Sequence, residues 1–212
     1  MNVNGRDDLL QVLRRAGFPS LEQAVAHHAL FVHPDTVSQT RNEAIFAVIR
    51  NFSERGKIIV DGLTNRRVMA CDNDTPTLAF EWASGLDNYQ DVQFNHVYSA
   101  SNDVGIYTSL ANLCVTPTFL AKLTDQDSNI IATLKYRVYD IYGFVPQNMS
   151  TPSKPNDYDQ LRWRSFPEAL ENLANVMINR LRRKPKSRAA RSAREIGWLF
   201  SEFSPDTRLG GR

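Results

Sequence analysis

The sequence predicts an α+β fold that is mostly helical, with short antiparallel strands. In several stretches apolar residues recur at the spacing of about 3.6 residues that is typical of helices. β-Prone residues flank an Asp-Gly turn region, which is typical of a hairpin. Of the 212 residues, 42% are apolar, which is enough to fill a core. No apolar run approaches the roughly 18 residues that a membrane helix needs.

Three helices are predicted in the first part of the chain. RDDLLQVLRRAG has helical periodicity and a stop at Gly17. A Ser-x-x-Gln capping box at Ser20 begins the second helix, which Pro34 is expected to end. A third helix is predicted at about 38–55, with Gly56 after it. Its apolar stripe comprises Ala44, Ile45, Val48, Ile49 and Phe52.

The following segment, KIIVDGLTNRRVMAC, predicts two short strands joined by a turn. Three helices followed by a hairpin is also the order of a winged helix-turn-helix domain. In that alternative the third helix would present four polar residues to a DNA groove: Gln39, Thr40, Arg41 and Asn42. The competing interpretation is an ordinary small α+β unit without DNA contact.

The middle of the chain predicts a short helix, a strand and two further helices. TPTLAFEWASG is expected to form a short helix or a turn, and DVQFNHV a strand. Thr116 and Pro117 suit an N-cap and a first helical position before TFLAKLTD. A longer helix, SNIIATLKYRVYDIYG, should end at Gly143.

Proline-rich sequence follows from Val145 to Phe166 and predicts an extended arm across the surface. Tyr158, Leu161 and Trp163 are expected to attach this arm to the body. PEALENLANVMINRLRR then predicts a last helical region.

The charge is unevenly distributed along the chain. Eight of the 25 Lys and Arg residues lie between Arg180 and Arg194, where there is no acidic residue. In the rest of the chain the 23 acidic residues outnumber the remaining 17 Lys and Arg residues. A basic segment on an otherwise acidic chain predicts an anionic partner, most often nucleic acid, with a solvated helix face as the alternative. The residues predicted to bind nucleic acid here are Arg180, Arg182, Arg183, Lys184, Lys186, Arg188, Arg191 and Arg194.

Cysteine usage and the N-terminal sequence favour a cytoplasmic protein. Cys71 and Cys114 lie too far apart for a CxxC motif, and their apolar neighbours predict two small buried residues. MNVNGRDDLL lacks the basic-then-apolar pattern of a secretory signal. Asp72 and Asp74, in CDNDTP, suit either a cation site or an Asx-rich turn.

A group of polar residues surrounds the end of the predicted strand DVQFNHV. The strand ends in Asn95-His96, and an irregular polar loop follows. Tyr107 to Cys114, which contains Asn112-Leu113, is expected to return to extended or mixed structure before the next helix. Hydrolysis of a phosphodiester needs a base that deprotonates water and a cation that stabilises charge on the phosphate. A neutral His, whose ordinary pKa is about 6.5, can serve as that base.

At Asn95-His96 the sequence resembles the HNH, or ββα-metal, nuclease superfamily over about residues 91–125. The resemblance implies a ββα-metal-like core, a divalent metal ion (Mg²⁺ or Mn²⁺) and a nucleic-acid substrate, DNA in preference to RNA. It implies that His96 is the general base and that Asn95 is a metal ligand. Asn112 would tie the loop through side-chain hydrogen bonds to the backbone.

The crossing helix departs from the family pattern. Members usually place a second His or Asn ligand where this chain has Ala121, and alanine cannot bind a cation. Asp125 lies one helical turn beyond Ala121 on the same face and could bind the metal instead. Lys122 could contact the phosphate of the nucleic acid as a fixed positive charge.

Three segments are therefore expected: an N-terminal helical segment with a β-hairpin at 1–75, a ββα-metal-like core at 76–144, and the arm, last helix and basic segment at 145–212. The expected function is that of a metal-dependent endonuclease. The alternatives are a non-catalytic DNA-binding or regulatory protein with a degenerate motif, and a structural protein that binds a protein partner or a second copy of itself.

Overall fold

The computed structural model describes residues 4–99 and 101–197. Its helices are α1 (Gly5–Arg15), α2 (Leu21–His28), α3 (Pro34–Ser38), α4 (Asp74–Ser84), α5 (Thr118–Gln126), α6 (Ser128–Tyr142), α7 (Leu173–Arg183) and α8 (Arg188–Glu195). Its strands are β1 (Val48–Arg50), β2 (Ile58–Val60), β3 (Arg67–Cys71), β4 (Val92–His96) and β5 (Leu113–Pro117). The fold is α+β and mostly helical, as predicted.

Strands β1, β3 and β2 form a small sheet in that order. β2 and β3 form the predicted antiparallel hairpin, with Val60 opposite Arg67. β1 pairs with β3 in parallel, with Val48 opposite Met69, whereas only antiparallel strands were predicted. The chain reverses once between β1 and β2 and again between β2 and β3, so β1 and β3 run in the same direction.

β4 and β5 form a separate antiparallel pair, which leads directly into α5. Asn95 lies opposite Cys114, and His96 lies opposite Leu113, next to the loop that joins the two strands. The predicted order of strand, loop, strand and helix is therefore confirmed. The bounds of the second strand are wrong, because extended or mixed structure was predicted from Tyr107 to Cys114, whereas β5 begins only at Leu113 after a 3₁₀ turn. The start of the helix is one residue later than predicted, because Pro117 ends β5 and Thr118 begins α5.

The predicted third helix at 38–55 is wrong. α3 ends at Ser38, and Arg41 and Asn42 adopt left-handed backbone conformations with φ of 51° and 63°. Residues 44–49 are all buried, and the last of them enter β1. A short apolar run buried on every side fits a strand as well as a helix, and here the strand is stabilised by pairing with β3.

The winged helix-turn-helix interpretation is also wrong, because it requires the predicted third helix, which residues 38–55 do not form. Gln39 is used inside the protein, because its side-chain amide donates to the carbonyl oxygen of Leu170 and accepts from the N–H of Leu173. Asn42 donates from Nδ2 to the carbonyl oxygen of Tyr142. Neither side chain lies on a recognition helix.

The second helix also ends earlier than predicted, at His28 rather than near Pro34. Leu30 is extended and exchanges two backbone hydrogen bonds with Val115, of 2.8 and 3.0 Å. Because this bridge extends the β4–β5 pair, tertiary pairing overrides the local helical pattern. Pro34 is the first residue of α3.

The predicted arm is confirmed between Val145 and Phe166, where the only regular element is a 3₁₀ turn at Tyr158–Gln160. Tyr158 is buried, and Leu161 and Trp163 are half-buried. The guanidinium of Arg137 lies 4.6 Å from the Trp163 ring centroid, so the arm is attached to α6 partly by a cation–π contact.

The main cluster of buried side chains includes Leu13, Leu113 and Leu173, one from each of the three predicted segments, and a smaller cluster comprises Ile49, Val68 and Val104. Both cysteines are buried and unpaired, as predicted. Among the described residues no helix is long and apolar enough to cross a membrane. The division into three segments stays a prediction.

Candidate active site

A polar cavity of about 290 Å³ opens beside the end of β4. Its lining includes Asn95 and His96 from β4 and Asp125 from α5. The chain thus brings to one cavity the three residues that the sequence assigned to base and metal-ligand roles. Their catalytic roles themselves stay predictions.

Asn95 presents an unsatisfied oxygen in this region. Its side chain is 4% exposed, and Nδ2 donates to the carbonyl oxygen of Gln93 at 3.1 Å and to Thr116 Oγ1 at 2.9 Å. Because a carbonyl can only accept, the contact with Gln93 fixes the orientation of the amide. Oδ1 is buried and has no hydrogen-bond partner within the described residues. Leaving a buried acceptor unpaired costs about 1–3 kcal/mol, which a ligand at Oδ1 would offset.

His96 is held by the loop between the two strands. Its Nε2 lies 2.9 Å from the carbonyl oxygen of Tyr107, and the two rings are stacked with centroids 5.0 Å apart. A carbonyl cannot donate, so the proton of the neutral imidazole must be on Nε2. Nδ1 is then the basic nitrogen, and no hydrogen bond to it comes from the described part of the chain.

The pKa of His96 lies below its usual value. Burial is the largest cause, and the positive charge of Arg50 acts in the same direction. The hydrogen bond to Tyr107 and the negative charge of Asp125 act in the opposite direction but do not outweigh burial. His96 is therefore neutral at pH 7, the form that can accept a proton from water.

The helix α5 positions Asp125 and buries Ala121. Ala121 is 2% exposed and packs toward the core, so it does not line the cavity. Asp125, one turn later, is exposed and lines it. Lys122 is exposed on the same helix but is not part of the lining, and its contact with a phosphate stays a prediction.

Asn112 makes the backbone hydrogen bonds expected of it. Its Oδ1 accepts from the N–H of Tyr98 at 2.7 Å, and its Nδ2 donates to the carbonyl oxygens of Tyr98 at 3.1 Å and of Ile106 at 3.4 Å. Asn112 is completely buried. One side chain thus ties both ends of the loop that positions Tyr107 against His96.

Arg50 and Asn73 also line the cavity, although nothing in the sequence pointed to them. Arg50 ends β1, and its N–H donates to the carbonyl oxygen of Ser101 at 2.7 Å, which joins β1 to the loop after β4. Its side chain is exposed, and no Asp or Glu of the described residues pairs with it. The cavity therefore has a cationic side chain beside its histidine. The parallel pairing that places Arg50 there has no local sequence signal.

Four of the eight basic residues in the predicted nucleic-acid-binding segment form ion pairs or hydrogen bonds within the protein. Arg180 pairs with Asp87 at 2.8 Å, and Arg188 pairs with both Asp72 and Asp74, at 2.8 and 2.7 Å. Two more arginines bond within the protein, Arg191 to Glu195 and the carbonyl oxygen of Gly56, and Arg194 to the carbonyl oxygen of Pro185. These contacts give the arginines structural partners.

The other four residues of the segment form what we call the basic corner, at the end of α7 and in the turn that leads to α8. They are all exposed, and no ion pair joins them to the described residues: Arg182, Arg183, Lys184 and Lys186. The predicted binding surface is thus reduced to this corner.

The donors at the cavity fit a hard divalent cation. Asn95 and Asp125 line the cavity and have side-chain oxygens of the kind that Mg²⁺ and Mn²⁺ prefer, although Asn95 Oδ1 itself is buried. Mg²⁺ commonly uses only one or two protein ligands and takes water or phosphate oxygens for the rest. Within the described residues there is no cluster of three or more His, Cys, Asp or Glu that could hold a metal by itself. A cation at this cavity would take most of its ligands from water or from a bound phosphate.

Comparison with known proteins yields no relative: no protein-family model, curated protein or solved structure matches this chain. Conclusions about function therefore depend on the geometry of the cavity and on the chemistry of its residues.

Proposed function

We propose that this protein is a metal-dependent endonuclease of the HNH, or ββα-metal, type that hydrolyses phosphodiester bonds, with DNA favoured over RNA. The observation that supports this most is the convergence of Asn95, His96 and Asp125 on one polar cavity. They lie on a strand pair and its following helix, in the order that the resemblance implies.

In this proposal Asn95 and Asp125 hold the divalent cation, Mg²⁺ or Mn²⁺. When bound, the cation supplies positive charge to the phosphate and to the leaving oxygen. His96 accepts the proton of the attacking water at Nδ1, while Tyr107 holds Nε2 in place. Asn112 keeps the loop in the conformation that aligns the imidazole. Arg50 adds a second positive charge at the phosphate.

The basic corner would bind the nucleic-acid backbone at a second place, outside the cavity. Its four charges have no acidic partner among the described residues, so binding a phosphate breaks no internal ion pair. Lys122 would contribute a further phosphate contact from α5.

Nicking of supercoiled plasmid in Mg²⁺ or Mn²⁺ tests the proposal. Wild-type protein should nick the plasmid, excess EDTA should stop it, and His96→Ala and Asp125→Asn should each lose most of the activity. His27→Ala is the matched control, because His27 is an exposed helical histidine that packs against Phe18 and His28 and lies outside the cavity. Nicking that persists in EDTA or in His96→Ala would contradict the mechanism.

The burial of Ala121 favours one alternative, a non-catalytic DNA-binding or regulatory protein. A chain that lacks the second family ligand could keep the fold and bind nucleic acid without cutting it. Retardation of DNA with no cleavage in any divalent cation would support this alternative. A protein that only binds a protein partner or a second copy of itself should show neither retardation nor cleavage.

A further inference from the structure

Phe52 is unusually exposed for an aromatic residue, with 62% of its surface accessible. It lies in the turn after β1, two residues beyond Arg50. The guanidinium of Arg50 lies 5.4 Å from the centroid of the Phe52 ring. A single exposed apolar side chain is common on protein surfaces and has no meaning by itself. What distinguishes Phe52 is its position beside the candidate active site.

A second cavity, shallow and wide open to solvent, has a volume of about 460 Å³ and lies next to this ring. Its lining consists of Phe52, Arg55, Asp72, Asn73, Asp74 and Thr77. Asn73 lines this cavity and the His96 cavity alike, and Arg50 lines the His96 cavity while contacting Phe52. The two cavities are therefore neighbours that share one wall.

The second cavity is suited to an uncharged ligand rather than to a phosphate. Its two carboxylates are paired with arginines: Asp72 with Arg55 and Arg188, and Asp74 with Arg188. The charges of the acids and of the arginines therefore offset each other. What remains is an aromatic face with amide and hydroxyl groups around it, from Asn73 and Thr77.

This combination matches a nucleobase. Every base has an aromatic face that stacks on an exposed ring and an edge that forms hydrogen bonds. Arg50 would contact the phosphate in one cavity while the base of an adjoining nucleotide occupied the other. From this arrangement, which rests on the proposed nuclease function, we infer that Phe52 is a stacking platform for an unpaired base next to the cleaved phosphodiester.

The substrate class follows from the stacking. A base inside a duplex has both faces covered by its neighbours, so it can stack on Phe52 only after leaving the helix. Single-stranded or locally unpaired nucleic acid offers such a base without that cost. The preferred substrate is therefore single-stranded DNA or a duplex with an unpaired position.

Binding of a single-stranded oligonucleotide that contains 2-aminopurine tests the inference in EDTA, where no cleavage is needed. Phe52→Ala should weaken binding by about 5-fold to 150-fold, the range expected for the loss of one stacked base. 2-Aminopurine fluorescence should be quenched by the wild type and by Phe52→Trp but not by Phe52→Ala. Binding to the matched duplex should be unchanged in all three proteins.

Leu63→Ala is the matched control, because Leu63 is 78% exposed and lies in the turn between β2 and β3, outside both cavities. Equal binding and quenching by wild type and Phe52→Ala would overturn the stacking platform. If the basic-corner residues were still needed for binding in that case, the proposed nuclease function would stand. If the wild type bound no oligonucleotide at all, the proposed function and this inference would both fail.

Discussion

The imidazole of His96 stacks on the ring of Tyr107, with centroids 5.0 Å apart and an angle of 9° between the planes. The same tyrosine accepts the hydrogen bond from Nε2 through its backbone carbonyl. Its hydroxyl donates to the carbonyl oxygen of Asp72 at 3.0 Å, which anchors the loop beside the end of β3. One buried residue therefore fixes both the orientation and the tautomer of the candidate base.

The two functions of Tyr107 can be separated by substitution. Tyr107→Phe keeps the ring and the backbone carbonyl and loses only the hydroxyl contact, so we expect a loss of about 1 kcal/mol in the free energy of unfolding. Nicking should be retained. Tyr107→Ala also creates a cavity and should cost about 3–5 kcal/mol. Urea unfolding followed by circular dichroism measures both values, and an equal cost for the two variants would show that the ring packs less tightly than the structure indicates.

Removal of the Asn112 side chain should weaken the loop strongly. Asn112→Ala leaves the buried N–H and carbonyl groups of Tyr98 without their side-chain partner, and each unsatisfied group costs about 1–3 kcal/mol. We expect a total loss of about 3 kcal/mol in urea unfolding. Asn129→Ala provides the control, since Asn129 is exposed in the first turn of α6. Similar costs in the two variants would argue against a structural role for Asn112.

The sequence was most informative where structure is local. The strand that ends in His96, the second strand and α5 are adjacent in the chain and need only short-range signals such as alternation and the Thr-Pro helix start. Asp125 could be assigned because residues four apart share a helix face. His96 and Asp125 do line one cavity, but Pro117 ends β5 rather than beginning α5, and Ala121, on the helix face used to assign Asp125, is buried outside the cavity.

Errors occurred where distant pairing decides the conformation. Residues 44–49 have apolar spacing compatible with a helix, but pairing with β3 makes part of this run a strand. Phe52, expected on the buried stripe of that helix, is consequently exposed in a turn. The position of Arg50 beside His96 depends on the same parallel pairing and could not be read from the sequence.

Burial should make both cysteines unreactive in the folded protein. It raises the pKa of Cys71 and of Cys114 to about 12. At pH 8 the reactive thiolate is then about one part in ten thousand, and access of the reagent is blocked as well. Ellman's reagent should therefore modify neither thiol in native protein and both in guanidinium chloride. Rapid modification of either cysteine without denaturant would show that its surroundings open readily.

The ion pair between Arg6 and Asp127 should stabilise the contact of α1 with α6. Arg6 Nε lies 2.7 Å from Asp127 Oδ2, and Asp127 also caps α6 by accepting from the N–H groups of Asn129 and Ile130. Asp127→Ala loses the cap and the pair together and should cost about 1–2 kcal/mol in urea unfolding. Arg6→Ala loses only the half-exposed pair and should cost less than about 1 kcal/mol. The reverse order would mean that the ion pair contributes more than the cap.

The basic corner should determine the salt dependence of DNA binding. Each phosphate that a Lys or Arg neutralises contributes about 0.9 to the slope of log affinity against log salt concentration. Replacing Arg182, Arg183, Lys184 and Lys186 together by Ala should therefore reduce that slope by about 0.9 for every residue that contacts the backbone. Fluorescence anisotropy with duplex DNA in EDTA, at several salt concentrations, measures the slope without cleavage.

A second fourfold variant separates local contact from net charge. Its four arginines are exposed, lie outside the segment and make no ion pair with the described residues: Arg15, Arg66, Arg67 and Arg162. Replacing them by Ala changes the net charge of the protein by the same amount. If phosphates contact the basic corner, only the first variant should lose slope, because counterions are released where the DNA is bound. Equal losses in the two variants would assign the binding to the overall charge of the protein and remove the corner as the anchor.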